Sequence, residues 1–177
     1  MMNRAGVIFI DCWQDIMDSS TWPEFSQDFD FFKSMKTHLE KYQPENLVFH
    51  TGVYGSLPLA QELVSWHRQG NAIDIMDITV FDQHYRAREI FNWIVVGAHW
   101  QRCTHEKPLG FFNLLGLKHN DPRLRIFSHQ DCTVKFLNDD IDNPVVTTCN
   151  ESDYQDQESN QLLIWKSNGS LHELVGP

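Results

Sequence analysis

Apolar residues along this chain follow two patterns, and they alternate. Short unbroken apolar runs take turns with longer stretches in which apolar positions recur every three or four residues. The run Gly6-Val7-Ile8-Phe9-Ile10 is continuous and partly β-branched, as in a strand covered on both faces. Leu47-Val48-Phe49-His50, Trp93-Ile94-Val95-Val96-Gly97 and residues 123–127 predict further strands. Residues 72–76 and 145–149 predict shorter ones. Between them, residues 29–42 predict a helix with Phe32, Met35, Leu39 and Tyr42 on one stripe and Pro44 just past its end. Residues 58–68 predict a second helix, with Ser56 as cap, Pro58 in the first turn and Gly70 after the end. Residues 81–92 and 103–115 are further helix candidates, the latter interrupted by Pro108 and Gly110. The acidic run 150–160 reads as a loop. Two strand-like segments, 162–166 and 171–175, then flank Asn168-Gly169, a strong hairpin signal.

Strands that alternate with helices pair in parallel through right-handed crossovers. The expected fold is therefore α/β: three layers, α/β/α, with a central, mainly parallel sheet. Residues 1–177 read as a single domain, with 161–176 as a C-terminal β-hairpin appendage. The chain has no internal repeat, linker or low-complexity tract.

Composition narrows the function classes. With a formal net charge of -10, the chain lacks the clustered Lys and Arg needed to hold a phosphate backbone, so no nucleic-acid partner is expected. No apolar run approaches the length of a membrane span, and Asp11 and Asp15 interrupt the early apolar stretch where a signal peptide would lie. Cys12, Cys103, Cys132 and Cys149 fit neither a zinc ribbon nor a redox pair, and they are too sparse for a disulfide scaffold. A reduced, cytoplasmic setting follows. The partner expected is a small-molecule substrate or ligand.

Candidate chemistry lies at two strand ends. Asp11 closes the first apolar run, and Cys103 stands six residues beyond Gly97. Parallel strands present their carboxyl ends to one crevice, where ligands bind in open α/β sheets. A carboxylate meeting a thiol there suggests an activated cysteine nucleophile. A nucleotide-binding reading would need a glycine-rich loop after the first strand, and Asp11-Cys12-Trp13-Gln14 contains no glycine.

These residues resemble the isochorismatase-like cysteine hydrolases, the superfamily that includes nicotinamidases. The resemblance rests on Val7-Ile8-Phe9-Ile10-Asp11-Cys12-Trp13-Gln14-Asp15, on Val95-Val96-Gly97-Ala98-His99-Trp100-Gln101-Arg102-Cys103-Thr104, and more loosely on Arg125-Ile126-Phe127-Ser128-His129-Gln130-Asp131-Cys132. It implies hydrolysis of a small amide, ester or vinyl-ether metabolite without a cofactor, in an assembly that is commonly a homo-oligomer. It implies Cys103 as nucleophile and Asp11 as its base. It further implies a cis peptide between Ala98 and His99, with an oxyanion hole formed by the backbone near Ala98, His99 and Arg102. Trp13, His50, His84 and Trp100 are pocket candidates, Trp100 either walling the pocket or filling it.

One part of the family pattern is missing. Its catalytic lysine belongs on the strand before the cysteine strand, where this chain reads Ala72-Ile73-Asp74-Ile75-Met76-Asp77. No lysine occurs between Lys41 and Lys107, and Arg86, Arg88, His84 and His50 are the stand-ins considered. The nicotinamidase branch also carries an Asp and His metal site, but no Asp-x-His pair surrounds His50 and no metal is expected. The alternative reading is a catalytically inactive relative that keeps the scaffold as an oligomerising or small-molecule-binding module.

Overall fold

Successive residues of the first apolar run enter two different cores. Val7 and Phe9 share one with Phe32, Met35, Leu39, Leu63 and Trp66, and Ile8 and Ile10 share the other with Phe81, Tyr85, Phe111 and Leu114. The computed structural model describes residues 4–13, 31–50, 59–137, 146–159 and 163–176. Within them, β1 (Ala5–Ile10) leads to α1 (Phe31–Glu40), β2 (Asn46–His50), α2 (Gln61–His67) and β3 (Ala72–Asp74). Then come α3 (Ile78–Arg88), β4 (Asn92–Ala98), α4 (Cys103–Glu106), α5 (Phe111–Asn120) and β5 (Arg125–Phe136). The chain ends with β6 (Val146–Thr148), α6 (Glu151–Ser159), β7 (Ile164–Asn168) and β8 (Leu171–Gly176). Gln14, Asp15, the predicted helix start at 29–30, and Ser56 and Pro58 lie outside the described residues.

The sheet runs β3-β2-β1-β4-β5-β8-β7, with β6 paired to β5. Its first five strands are parallel, and β5–β6, β5–β8 and β7–β8 are antiparallel. Side chains of α1 and α2 pack on one face, those of α3 and α5 on the other. This is the three-layer α/β arrangement expected from the apolar pattern. The C-terminal hairpin extends the same sheet, because Leu174 of β8 pairs with Ile126 of β5. Its turn sits one residue later than the Asn-Gly signal suggests. Asn168 pairs with Leu171, leaving Gly169 and Ser170 as the two central residues, and Gly169 takes φ 61°.

Three differences from the sequence expectation concern helices. First, α3 begins at Ile78, because the Asp77 carboxylate caps it by accepting from the N–H groups of Thr79 (2.8 Å) and Val80 (3.1 Å). Second, the predicted helix 103–115 splits at Pro108 into α4 and α5. Third, the acidic run 150–160 contains a helix. Asn150 Oδ1 accepts from Ser152 N–H (3.0 Å), and Asp153 Oδ2 accepts from Asn150 N–H (2.6 Å), a reciprocal cap. Glu151 and Asp153 also complement the positive end of that helix, and Tyr154 anchors it in the core.

The closest backbone approach that bears on the site is between β1 and β4. Gly97, at φ 123°, pairs with Ile10, and a Cβ on Gly97 would lie 2.0 Å from the Ile10 carbonyl oxygen. Gly97→Ala is expected to cost about 2–6 kcal/mol, combining backbone strain of about 1–3 kcal/mol with a clash of similar size. A urea denaturation midpoint lowered at unchanged slope is the check.

Candidate active site

Asp11 follows the last residue of β1. It takes a left-handed φ of 49°, a conformation that aspartate tolerates better than most residues. Its N–H donates to the His50 carbonyl at the end of the neighbouring strand β2 (3.2 Å), which seats the residue at the carboxyl edge of the sheet. Its side chain is almost wholly buried. Cys103 reaches the same edge from β4, through the cis peptide bond Ala98–His99 and a tight loop. That loop is held at two points: Trp100 N–H donates to Val134 O (2.6 Å) and Arg102 N–H to His99 O (3.1 Å).

The two side chains meet. The Asp11 carboxylate is near enough to the Cys103 thiol to hold its proton on sulfur, and the His99 backbone acts on the sulfur in the opposite sense. Burial pushes the thiol pKa up to about 11, helped by the hydrogen bond to Asp11 and by the charge of Asp11; Lys107 and the His99 backbone act the other way. At neutral pH the resting sulfur is therefore a protonated thiol beside the Asp11 carboxylate, rather than a free thiolate.

A cation completes the cluster. Lys107 Nζ lies 3.2 Å from Asp11 Oδ2 and 3.4 Å from Oδ1, straddling the carboxylate. Its position follows from local helix geometry. Lys107 N–H donates to Cys103 O (3.2 Å), so the two residues are one turn apart and project to one side. The sequence search looked for this charge upstream of the cysteine strand. The signal that would have found it is the spacing Cys103-x-x-x-Lys107 across a helix start.

Of the stand-ins for the missing cation, Arg86 and His84 are engaged elsewhere. Arg86 pairs with Asp82 (2.8 Å) and Asp121 (2.7 Å). His84 hydrogen-bonds Asn46 Oδ1 (2.7 Å), at the opposite end of β2 from His50, with the charge of Arg88 nearby. His50 does belong to the cluster electrostatically, since the charges of Asp11 and Lys107 both act on it. Burial lowers its pKa. Its Nδ1 donates to Ile75 O (2.9 Å), so Nε2 carries the lone pair, and that atom has no hydrogen-bond partner among the described residues. Trp13 is buried two residues beyond Asp11, and its indole N–H is likewise unpartnered.

The remaining predicted residues divide. Ala98 is buried in the α1-side core, and the His99 ring stacks on Phe136 at 3.6 Å. Burial, with the nearby charge of Arg102, takes the His99 pKa down to about 4. Of the amides proposed for an oxyanion, that of Arg102 is already bonded to His99 O, whereas the Cys103 N–H opens α4, where helix N–H groups lack an intrahelical acceptor. Trp100 packs among His105, Phe111, Tyr154 and Trp165 in the core, at ring separations of 4.6–5.7 Å. Cys12 is buried on the α1-side core, where desolvation and the charge of Asp11 push its thiol far above the ordinary range.

No family model matches the chain, and no curated protein matches it. A solved structure, the crystal structure of the nicotinamidase SaPncA from Staphylococcus aureus, is similar at 19% sequence identity, covering 75% of this chain and 85% of that one with a TM-score of 0.48. That likeness concerns the path of the backbone. The chemistry available to Asp11, Cys103 and Lys107 rests on their own geometry. No described helix is long and apolar enough to cross a membrane.

Proposed function

We propose that this chain is a cysteine hydrolase of the isochorismatase-like kind that cleaves a small amide or ester. Cys103 is the nucleophile, Asp11 the base, and Lys107 the cation that balances both. The observation that carries this reading is one buried carboxylate that pairs with the Lys107 ammonium and acts on the Cys103 thiol. An inactive relative would have no need to bury an acid, a thiol and a cation against one another, since each loses hydration there.

The reaction runs in two halves. As the substrate carbonyl arrives, the Cys103 proton passes to Asp11, and the sulfur forms a bond to the carbonyl carbon while the C=O electron pair moves onto oxygen. The Cys103 N–H is the donor placed to receive that oxyanion. Collapse of the intermediate breaks the carbon–nitrogen or carbon–oxygen bond, and the leaving group takes the proton from Asp11. Water then attacks the thioester and gives a proton to Asp11. The Cys103 sulfur leaves as thiolate and recovers that proton. Lys107 offsets the negative charge that alternates between Asp11 and the sulfur. His50 Nε2, an acceptor, and Trp13 Nε1–H, a donor, are the buried polar atoms left to orient a small polar substrate.

The test is covalent trapping. The folded protein is mixed with a panel of primary amides and activated esters, quenched in acid, and its intact mass measured. An acyl adduct mapped to Cys103, absent in Cys103→Ala, is expected. A folded protein that neither forms an adduct nor turns over any member of the panel would overturn the proposal.

A further inference from the structure

A second cluster of chemistry-bearing side chains lies between α1 and β5, sharing no residue with the Cys103 site. It arises from an irregularity in the sheet. Ser128 of β5 pairs with Val95 of β4, and Thr133 with Gly97, so residues 129–132 are set against Val96 alone. Such a bulge re-aims the side chains it carries. Here it brings His129 beneath α1, with its ring 5.2 Å from that of His38 and 5.9 Å from that of Tyr42. His129 is only 2% exposed, yet its Nδ1 has no hydrogen-bond partner among the described residues. The nearest carboxylate oxygen, Asp131 Oδ2, stands 3.8 Å away, beyond hydrogen-bond range.

We propose that His38, His129 and Asp131 bind one divalent transition-metal ion, zinc being the best match. One ligand atom from each of the three lies within 4.8 Å of the others. Two imidazole nitrogens and one carboxylate oxygen form a donor set suited to zinc, with a fourth position left for water. Bonds of about 2.0–2.2 Å in a tetrahedron bring donors to roughly 3.4 Å from one another, so the cluster must contract by about 1.4 Å at its widest. His38 and Asp131 are half-buried and free to swing inward, whereas His129 is fixed by packing. A metal would give the orphaned His129 Nδ1 the partner it lacks. Lys41, whose charge also reaches His129, works against a bound cation.

The test is titration of the chelator-treated full chain with zinc ion alone, followed by calorimetry and metal analysis. One zinc per chain is expected, with the same stoichiometry in Cys103→Ala. His38→Ala and Asp131→Asn are each expected to weaken binding at least tenfold. Both positions are half-buried, so these variants should keep the fold that His129→Ala could lose, and circular dichroism checks this. Absence of zinc binding, or binding that neither substitution weakens, overturns the site.

Discussion

Asp11→Asn is expected to slow hydrolysis by about 10²–10⁴, the usual contribution of a positioned general base, and at the same time to make Cys103 react faster with iodoacetamide. The two effects have opposite signs because Asp11 does two things. In the proposed reaction it takes the thiol proton. At rest, its hydrogen-bonding influence and its charge add to burial, the largest cause, in bringing the thiol pKa to about 11. A thiol with that pKa is ionised to roughly one part in ten thousand at pH 7, and each unit of decrease multiplies the thiolate tenfold. The asparagine leaves burial as the main raising influence and leaves Lys107 acting against it. Alkylation rates measured from pH 6 to pH 10, below the wild-type inflection, should therefore be higher in the variant at every pH. Slower alkylation in the variant, or unchanged hydrolysis, would contradict the assignment.

Lys107→Met should do the reverse to the thiol. Removing the cation takes away an influence that lowers the Cys103 pKa, so the inflection moves up and alkylation slows. Hydrolysis should fall about a hundredfold, the low end of the 10²–10³ typical for loss of one preorganised electrostatic group. Lys107→Arg keeps the charge and should recover part of the rate. It cannot recover all of it, because a planar guanidinium does not occupy the place of a compact ammonium 3.2 Å from Asp11 Oδ2. Opposite shifts in the two variants would separate electrostatic control of the thiol from simple loss of packing, which would push both in one direction.

The strands of this fold were plain in the sequence, because a strand buried on both faces must be apolar at every position, as residues 7–10 and 93–96 are. Helix α6 was not. Its nine residues carry little amphipathic pattern, and it forms through the cap at Asn150 and the anchor Tyr154. The extension of β5 to Phe136 was hidden by polar residues such as Gln130 and Asp131, which sit where pairing with β4 is interrupted. At the site, Asp11 and Cys103 were legible because strand ends in a parallel sheet converge. Lys107 was not legible because the family pattern puts a cation on the upstream strand, whereas this chain delivers one from the turn that carries Cys103. His38 and His129 are 91 residues apart in sequence, and no spacing rule joins them; only the packing of α1 on β5 does.

Cys103 opens the four-residue helix α4, and Lys107 is the residue that caps its end, its N–H donating to the Cys103 carbonyl. In the proposed reaction both groups therefore come from one short stretch of chain, and only the acid comes from another strand. Substitutions in the Pro108 segment that tilt this stretch are expected to change the rate through the span to Asp11 without changing which groups take part.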